Sequence, residues 1–309
     1  MGRYEADGLA TILPLPGVNA NKYSRGKLIL FAGSAAFPGA ACLAACASQQ
    51  AGAGYTEVIT APRAVQVVQV ARPSLVVRSW SGIYDEELQS NTLEKPCAYV
   101  LGPGLDLEKK HTSALTYFVL GNAEAPVLVD GGSLAVLNSA AGMTMCVNRS
   151  RDGFPTVLTP HAGEAQRLAA GYDMPLHDPA QLAVTLALYY KSIVVLKGPV
   201  TFVSDGFDVF SLAQGTPALA KAGTGDVLAG IIGAFMAQGV APIDAAVLGV
   251  TLHSKAGCIA AEELTVVSVT AEDVIANIPT AIGAVINPPM AHVAPPIPAA
   301  VAPFPPAGI

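Results

Sequence analysis

The chain has 309 residues, 52% of them hydrophobic and 13% charged, with a formal net charge of −6. That is ample apolar material for one large α/β core or two small ones, and an acidic balance with no Lys/Arg cluster argues against nucleic acid as a partner. The five cysteines, Cys42, Cys46, Cys97, Cys146 and Cys258, are odd in number and scattered, which argues against a disulfide framework. Cys42 and Cys46 lie one helical turn apart, but no His or second Cys pair completes a metal site, so they are expected to be small buried residues. Residues 1–20 carry charges and prolines in place of a basic start and an apolar run, so no secretory leader is read there. No uninterrupted apolar run of bilayer length is found. A soluble cytoplasmic protein is expected.

In chain order, residues 27–34 read as a buried strand ending in a glycine turn, and 39–50 as an alanine-rich helix. Residues 56–60 and 75–80 read as strands with a short helix between them, and 98–101 as a strand running into Gly102-Pro103-Gly104. A helix over 111–120, a strand over 127–130 ending in Gly131-Gly132, and a strand over 156–159 ending in Pro160-His161-Ala162-Gly163-Glu164 continue the alternation. Strand-loop-helix units of this length imply a mostly parallel sheet covered on both faces. Ligands in such sheets bind at the carboxyl ends of the strands, so the loops at 34–39, 102–104, 130–132 and 160–164 should gather on one edge as the site.

A helix over 178–191 and a strand over 193–198 follow, and the pattern then switches to hairpins. Strands at 201–204 and 208–212 flank the turn pair Asp205-Gly206, so the sheet should end in antiparallel strands. Three helices close the fold, over 224–238, 243–263 and 271–282. No internal repeat is found. From 287 onward a proline-alanine tail without periodicity is expected to be disordered or polyproline II, leaving 1–286 as one domain.

The chemistry is placed at Lys221-Ala222-Gly223-Thr224-Gly225-Asp226, where a glycine-rich loop opens an apolar helix. Gly223 and Gly225 let a ligand approach the main chain, and the free N–H groups and dipole of the helix start form an anion site suited to phosphate. Asp226 sits at its mouth, either as a helix-start carboxylate or as the base that takes the proton of a substrate hydroxyl attacking a phosphoryl group. The dipole is expected to lower its pKa, so that it works by position.

Taken in order, Phe37-Pro38-Gly39-Ala40-Ala41, Gly102-Pro103-Gly104, Leu158-Thr159-Pro160-His161-Ala162-Gly163-Glu164, Lys197-Gly198-Pro199-Val200-Thr201 and Ala222-Gly223-Thr224-Gly225-Asp226 resemble the ADP/ATP-dependent NAD(P)H-hydrate dehydratases of the ribokinase-like superfamily. The resemblance implies a three-layer α/β/α sandwich. It also implies a repair reaction on the S epimer of NADHX or NADPHX, in which ADP or ATP phosphorylates the ring hydroxyl and loss of phosphate restores the double bond. Carried over residue by residue, it makes Asp226 catalytic and places Ala40, Gly104, His161 and Asp226 on the hydrate. Lys197, Gly198, Pro199, Val200, Thr201 and Gly225 fall on the nucleotide, with Gly223, Thr224 and Gly225 as the anion loop. Mg²⁺ is expected for charge neutralisation, with Glu164 a candidate to support it through water or else to bond at the start of its own helix. A homo-oligomer, a tetramer, is implied too.

There are departures. Gly215-Thr216-Pro217 stands where members commonly read Gly-Asn-Pro, and Lys221 adds a charge expected close to the phosphates. The segment ahead of the resembling region is short for the epimerase domain that many members carry, so epimerase activity is not expected. His253, inside an apolar helix, reads as structural. The alternatives are a small-molecule kinase of the same superfamily, acting on a vitamin precursor or sugar, and a catalytically silent nucleotide-binding protein.

Overall fold

The computed structural model describes residues 4–81, 83, 97–106, 110–170, 172, 174–213 and 215–287, so the proline-alanine tail from 288 lies outside the described residues. Nine strands, β1 (Lys27–Phe31), β2 (Tyr55–Thr60), β3 (Val76–Ser79), β4 (Cys97–Leu101), β5 (Val127–Val129), β6 (Thr156–Leu158), β7 (Ile193–Leu196), β8 (Thr201–Ser204) and β9 (Val209–Leu212), form one sheet in the order β3-β2-β1-β4-β5-β6-β7-β8-β9. Pairing is parallel from β3 across to β7 and antiparallel for β7 with β8 and β8 with β9. The hairpin turn forms as its residues dictate. Asp205 Oδ1 accepts the N–H groups of Phe207 and Asp208, both at 2.9 Å, and Gly206 takes φ +95°.

The helices are α1 (Ala6–Ile12), α2 (Pro38–Gln50), α3 (Val65–Ala71), α4 (Lys110–Asn122), α5 (Gly131–Leu137), α6 (Ala140–Arg151), α7 (Ala162–Leu168), α8 (Pro179–Tyr190), α9 (Thr224–Ala237), α10 (Pro242–Leu264) and α11 (Ala271–Ile286). Strand side chains alternate between two cores, as the pleat requires. Leu28, Leu30, Val58, Val100 and Leu128 pack with α2, α9, α10 and α11 on one face, and Ile29, Phe31, Tyr99, Leu101 and Val129 with α4 to α8 on the other. The result is the expected three-layer sandwich.

Three sequence expectations need correction. Residues 131–151, left without helices, hold α5 and α6: Gly131-Gly132 reads as a turn because glycine is a poor helix former, yet Ser133, Leu134 and Leu137 bury and tertiary packing overrides propensity. Helix α11 continues through Pro279 to Ile286. Helix α10 is long and apolar enough to cross a bilayer, with a mean hydropathy of 1.2 over its most apolar window, but 67% of that window is buried inside the protein. It is a core helix, packed through Gly249 against Ile232 of α9.

Helix α9 carries the site. Nearly all of it is buried, and at Gly230 a Cβ would run into the Ala44 carbonyl of α2, so glycine there seats α9 directly on its neighbour. Truncating Phe235, 1% exposed, to alanine would cost about 3–5 kcal/mol. This packing fixes the start of α9 over the carboxyl ends of the central strands.

Candidate active site

The order of the strands puts a topological switch between β1 and β4, since the chain moves outward from β1 through β2 to β3 and resumes on the other side of β1. The loops after β1, β4, β5, β6 and β7 leave the sheet on one edge, together with the start of α9. Gly33 N–H donates to the Pro103 carbonyl at 2.8 Å, and Lys197 N–H to the Pro160 carbonyl at 2.8 Å, so neighbouring loops are tied to one another.

The helix start matches its sequence signature. The N-cap of α9 is Gly223 at φ +92°, with no side-chain cap, and a Cβ there would lie 2.6 Å from Leu43 Cδ1. Uncapped N–H groups and the positive dipole end suit an anion. The Thr224 hydroxyl donates inward to the Leu219 and Lys221 carbonyls at 2.8 and 2.9 Å, so the side chain staples the loop and backbone N–H groups are what face an anion. Lys221 is also displaced from its expected place, because its ammonium donates to the Val267 carbonyl at 2.6 Å. Thr216 caps the 3-10 turn Pro217–Leu219, accepting from Ala218 N–H at 3.3 Å.

The cation at the loop is Lys197. Its Nζ would stand 3.4 Å from a Cβ on Gly225 and donates to Asp130 Oδ1 at 2.8 Å. Asp130, 3% exposed, also accepts the Thr159 hydroxyl at 2.7 Å. Burial pulls the Lys197 ammonium toward the neutral form, but the carboxylates of Asp130, Glu164 and Asp226 more than reverse this and leave its pKa raised. The turn after it, Gly198-Pro199-Val200, is exposed and leads into the partly buried Thr201.

Asp226 corrects an expectation. In place of a lowered pKa, burial pushes its carboxyl up to about 7, Asp130 adds to the rise, and Lys197 offsets part of it. Desolvation and a like charge outweigh the dipole. The group therefore has a proton affinity suited to general-base work at neutral pH.

His161 is exposed, and it caps α7 with its ring: Nδ1 accepts from Gly163 N–H at 3.1 Å and Glu164 N–H at 3.4 Å, while Glu164 Oε2 accepts from His161 N–H at 2.8 Å. Both alternatives for Glu164 thus begin from a committed capping box, with Oε1 3.5 Å from His161 Nε2. Ala40 and Gly104 come together, since a Cβ on Gly104 would lie 2.6 Å from both Ala40 Cβ and the Phe37 carbonyl. These small residues pack closely beside an exposed Phe37.

The structure therefore brings Ala40 and Gly104 together at β1 and β4, and Lys197, Gly225 and Asp226 together at β7 and α9. His161 joins the second group through its bridge to Lys197. Asp130 was not singled out: it lay in a strand-end loop, but its partner is 67 residues away in sequence. His253 is buried behind the loop, held neutral by burial with a pKa lowered to about 4, and its Nε2 has no hydrogen-bond partner. Of the cysteines, Cys97 and Cys146 are buried as expected, whereas Cys42, Cys46 and Cys258 are half-buried. Two cavities, about 370 Å³ beside Ala123 and Phe154 and about 520 Å³ beside Pro16 and Arg25, lie at the opposite edge of the sheet.

This architecture, with its glycine loop at a helix start on the strand ends, is that of a ribokinase-like α/β protein. It superposes on a solved ADP/ATP-dependent NAD(P)H-hydrate dehydratase from Bacillus subtilis with a TM-score of 0.76 at 24% identity, covering 91% of this chain and 98% of that one. A ribokinase-like superfamily protein from Enterococcus faecalis gives 0.75 at 25% identity, covering 92% and 96%. Residues 28–280 match the NAD(P)H-hydrate dehydratase family, and the chain belongs to it. It is 32% identical to the ADP-dependent (S)-NAD(P)H-hydrate dehydratase of Xanthomonas campestris over 86% of this chain and 91% of that protein. It is also 35% identical to the bifunctional NAD(P)H-hydrate repair enzyme Nnr of Mycobacterium leprae over 84% of this chain, but spans only 51% of that relative's length.

Proposed function

We propose that the protein dehydrates the S epimer of NADHX or NADPHX, using ADP or ATP as phosphoryl donor. The observation that carries this reading is that a half-buried carboxyl, Asp226, its pKa raised to about 7, stands at the uncapped start of α9 where the partly buried Lys197 ammonium lies over Gly225. Family membership supplies the substrate class.

In this reading the nucleotide's terminal phosphates lie against the backbone of Gly223, Thr224 and Gly225, with Lys197 balancing their charge and the turn 198–201 lining the rest of the nucleotide. The hydrated nicotinamide ring lies against Ala40 and Gly104 with its hydroxyl toward Asp226, and His161 flanks it. Asp226 takes the hydroxyl proton as that oxygen attacks the terminal phosphorus. The bond to the departing nucleotide breaks, and hydroxide, a poor leaving group, has become a phosphate ester. The ring nitrogen then pushes electrons toward the carbon–oxygen bond, phosphate departs with that bonding pair, and loss of the neighbouring ring proton restores the double bond.

Mg²⁺ belongs to this proposal. Among the described residues no group of three or more His, Cys, Asp or Glu side chains is placed to hold a metal ion, so Mg²⁺ would be held through the nucleotide phosphates and retained waters. Glu164 would support it through water, and the ion would supply neutralisation of phosphate charge. A homotetramer in the cytoplasm completes the reading.

The test mixes purified protein with prepared NADHX, Mg²⁺ and either ADP or ATP, and follows the return of reduced-nicotinamide absorbance. Nucleotide-dependent recovery supports the reading and selects the donor. No recovery with either, on hydrate verified with an active control, would move the protein to a kinase of another metabolite.

A further inference from the structure

Asp130 occupies the N-cap of α5, where an aspartate ordinarily turns its carboxylate onto the first N–H groups of the helix. It does not do so here, and makes no side-chain cap. Its Oδ1 instead collects the Lys197 ammonium at 2.8 Å and the Thr159 hydroxyl at 2.7 Å, in a site where the carboxylate is 3% exposed. Lys197 forms an ion pair within 4 Å with Asp130, while Asp226, also within its electrostatic reach, forms none with it. The other groups around the pair are Glu164 and His161 at the start of α7, both engaged in the capping box, and neutral His253 on α10.

We propose that Asp130 is a positioning residue that holds the Lys197 ammonium over Gly225, so that the cation meets the transferring phosphoryl group and is kept from pairing with Asp226. An ammonium free to swing would close an ion pair with Asp226, the other carboxylate at the loop, and an aspartate so paired is a weaker base. Thr159 fixes the Asp130 rotamer for this task. The inference rests on the reading of Asp226 as the base.

The test compares wild type with Asp130→Asn and Thr159→Val, with melting curves to establish folding. Two quantities are read: nucleotide Kd in the presence of Mg²⁺, and the pH profile of hydrate turnover from about pH 5 to pH 9. For Asp130→Asn the expectation is a nucleotide Kd raised about tenfold, equivalent to loss of one charge-assisted hydrogen bond, and an acid limb moved to lower pH with reduced kcat. For Thr159→Val, which keeps the Asp130 charge, the limb stays in place and Kd rises about two- to fivefold. An Asp130→Asn enzyme with wild-type Kd and an unmoved limb, its kcat reduced only in proportion to the folded fraction, would reduce Asp130 to a structural role and overturn the proposal. If wild type fails to turn over hydrate, the functional reading fails on that result, while the Kd comparison still decides whether Asp130 anchors Lys197. If Asp130→Asn does not fold, an unchanged Kd in Thr159→Val overturns the anchor and a raised one supports it.

Discussion

Two buried carboxylate clusters stand at opposite edges of the same sheet, and their charge balance differs. At the amino edge Glu57, 4% exposed, lies between Lys27 at 2.8 Å and Arg78 at 3.3 Å, on the three adjacent strands β1, β2 and β3. One carboxylate meets two cations. At the carboxyl edge Lys197 faces Asp130, Glu164 and Asp226. The first arrangement leaves the carboxylate fully matched by positive charge and ties three strands together. The second leaves Asp226 desolvated by burial and beside the like charge of Asp130, which Lys197 only partly offsets, so its pKa is raised to about 7, and that is what chemistry can use.

The sharpest way to break the comparison is Asp226→Asn. The account expects hydrate turnover to fall by about 10²–10⁴ with nucleotide binding retained, read by steady-state kinetics and nucleotide titration; an unchanged rate would remove Asp226 from the chemistry. Next is Lys197→Met, which removes the one cation that the described residues bring against Asp226. Nucleotide Kd should rise by about one to two powers of ten, with the acid limb of the rate profile moved upward. At the other edge Glu57→Gln removes the carboxylate that Lys27 and Arg78 share and should lower stability by about 1–2 kcal/mol in denaturant unfolding, with kcat unchanged. If Glu57→Gln instead altered kcat, the two edges would not be separable as drawn. Gly104→Ala places a methyl 2.6 Å from Ala40 Cβ at a backbone φ of +64°, and should raise the KM for hydrate about tenfold while leaving the nucleotide KM in place.

The smallest effect is on stability, and its sign is definite. Asp226 has a folded pKa raised from 3.8 to about 7, so the folded state binds its proton more tightly than the unfolded state. Its contribution is full below about pH 4 and is lost as pH rises toward and through 7. Asp226→Asn should therefore raise the melting temperature relative to wild type more at pH 8 than at pH 5. An equal difference at the two values would mean that the carboxyl titrates normally.

The positions of the strands, the edge that gathers the loops and the glycine start of α9 are legible in the sequence, because each is written locally: apolar runs that stop at glycine or proline, and a loop that opens an apolar helix. The hairpin at Asp205-Gly206 is legible for the same reason. The spatial order of the strands is not, because it depends on crossovers between distant segments. What was not legible depends on contacts between distant residues. The pairing of Asp130 with Lys197 joins two loops, and the rise in the Asp226 pKa needs the burial that α9 acquires only when seated on α2 and the sheet. Lys221 shows the converse. Its sequence position placed it beside the phosphates, but the Val267 carbonyl takes its ammonium away. Helix α5 was hidden by the two glycines at its start, whose local preference is overruled by the core beneath Leu134 and Leu137.

The most direct measurement is the pH dependence of kcat/KM for nucleotide-dependent hydrate turnover by the wild-type protein. The account predicts an acid limb with an apparent pKa near 7, the value to which burial and Asp130 push Asp226. A limb at an ordinary carboxylate value near 4, or a profile flat down to that pH, would contradict the claim that burial and the neighbouring Asp130 charge at this edge set the base.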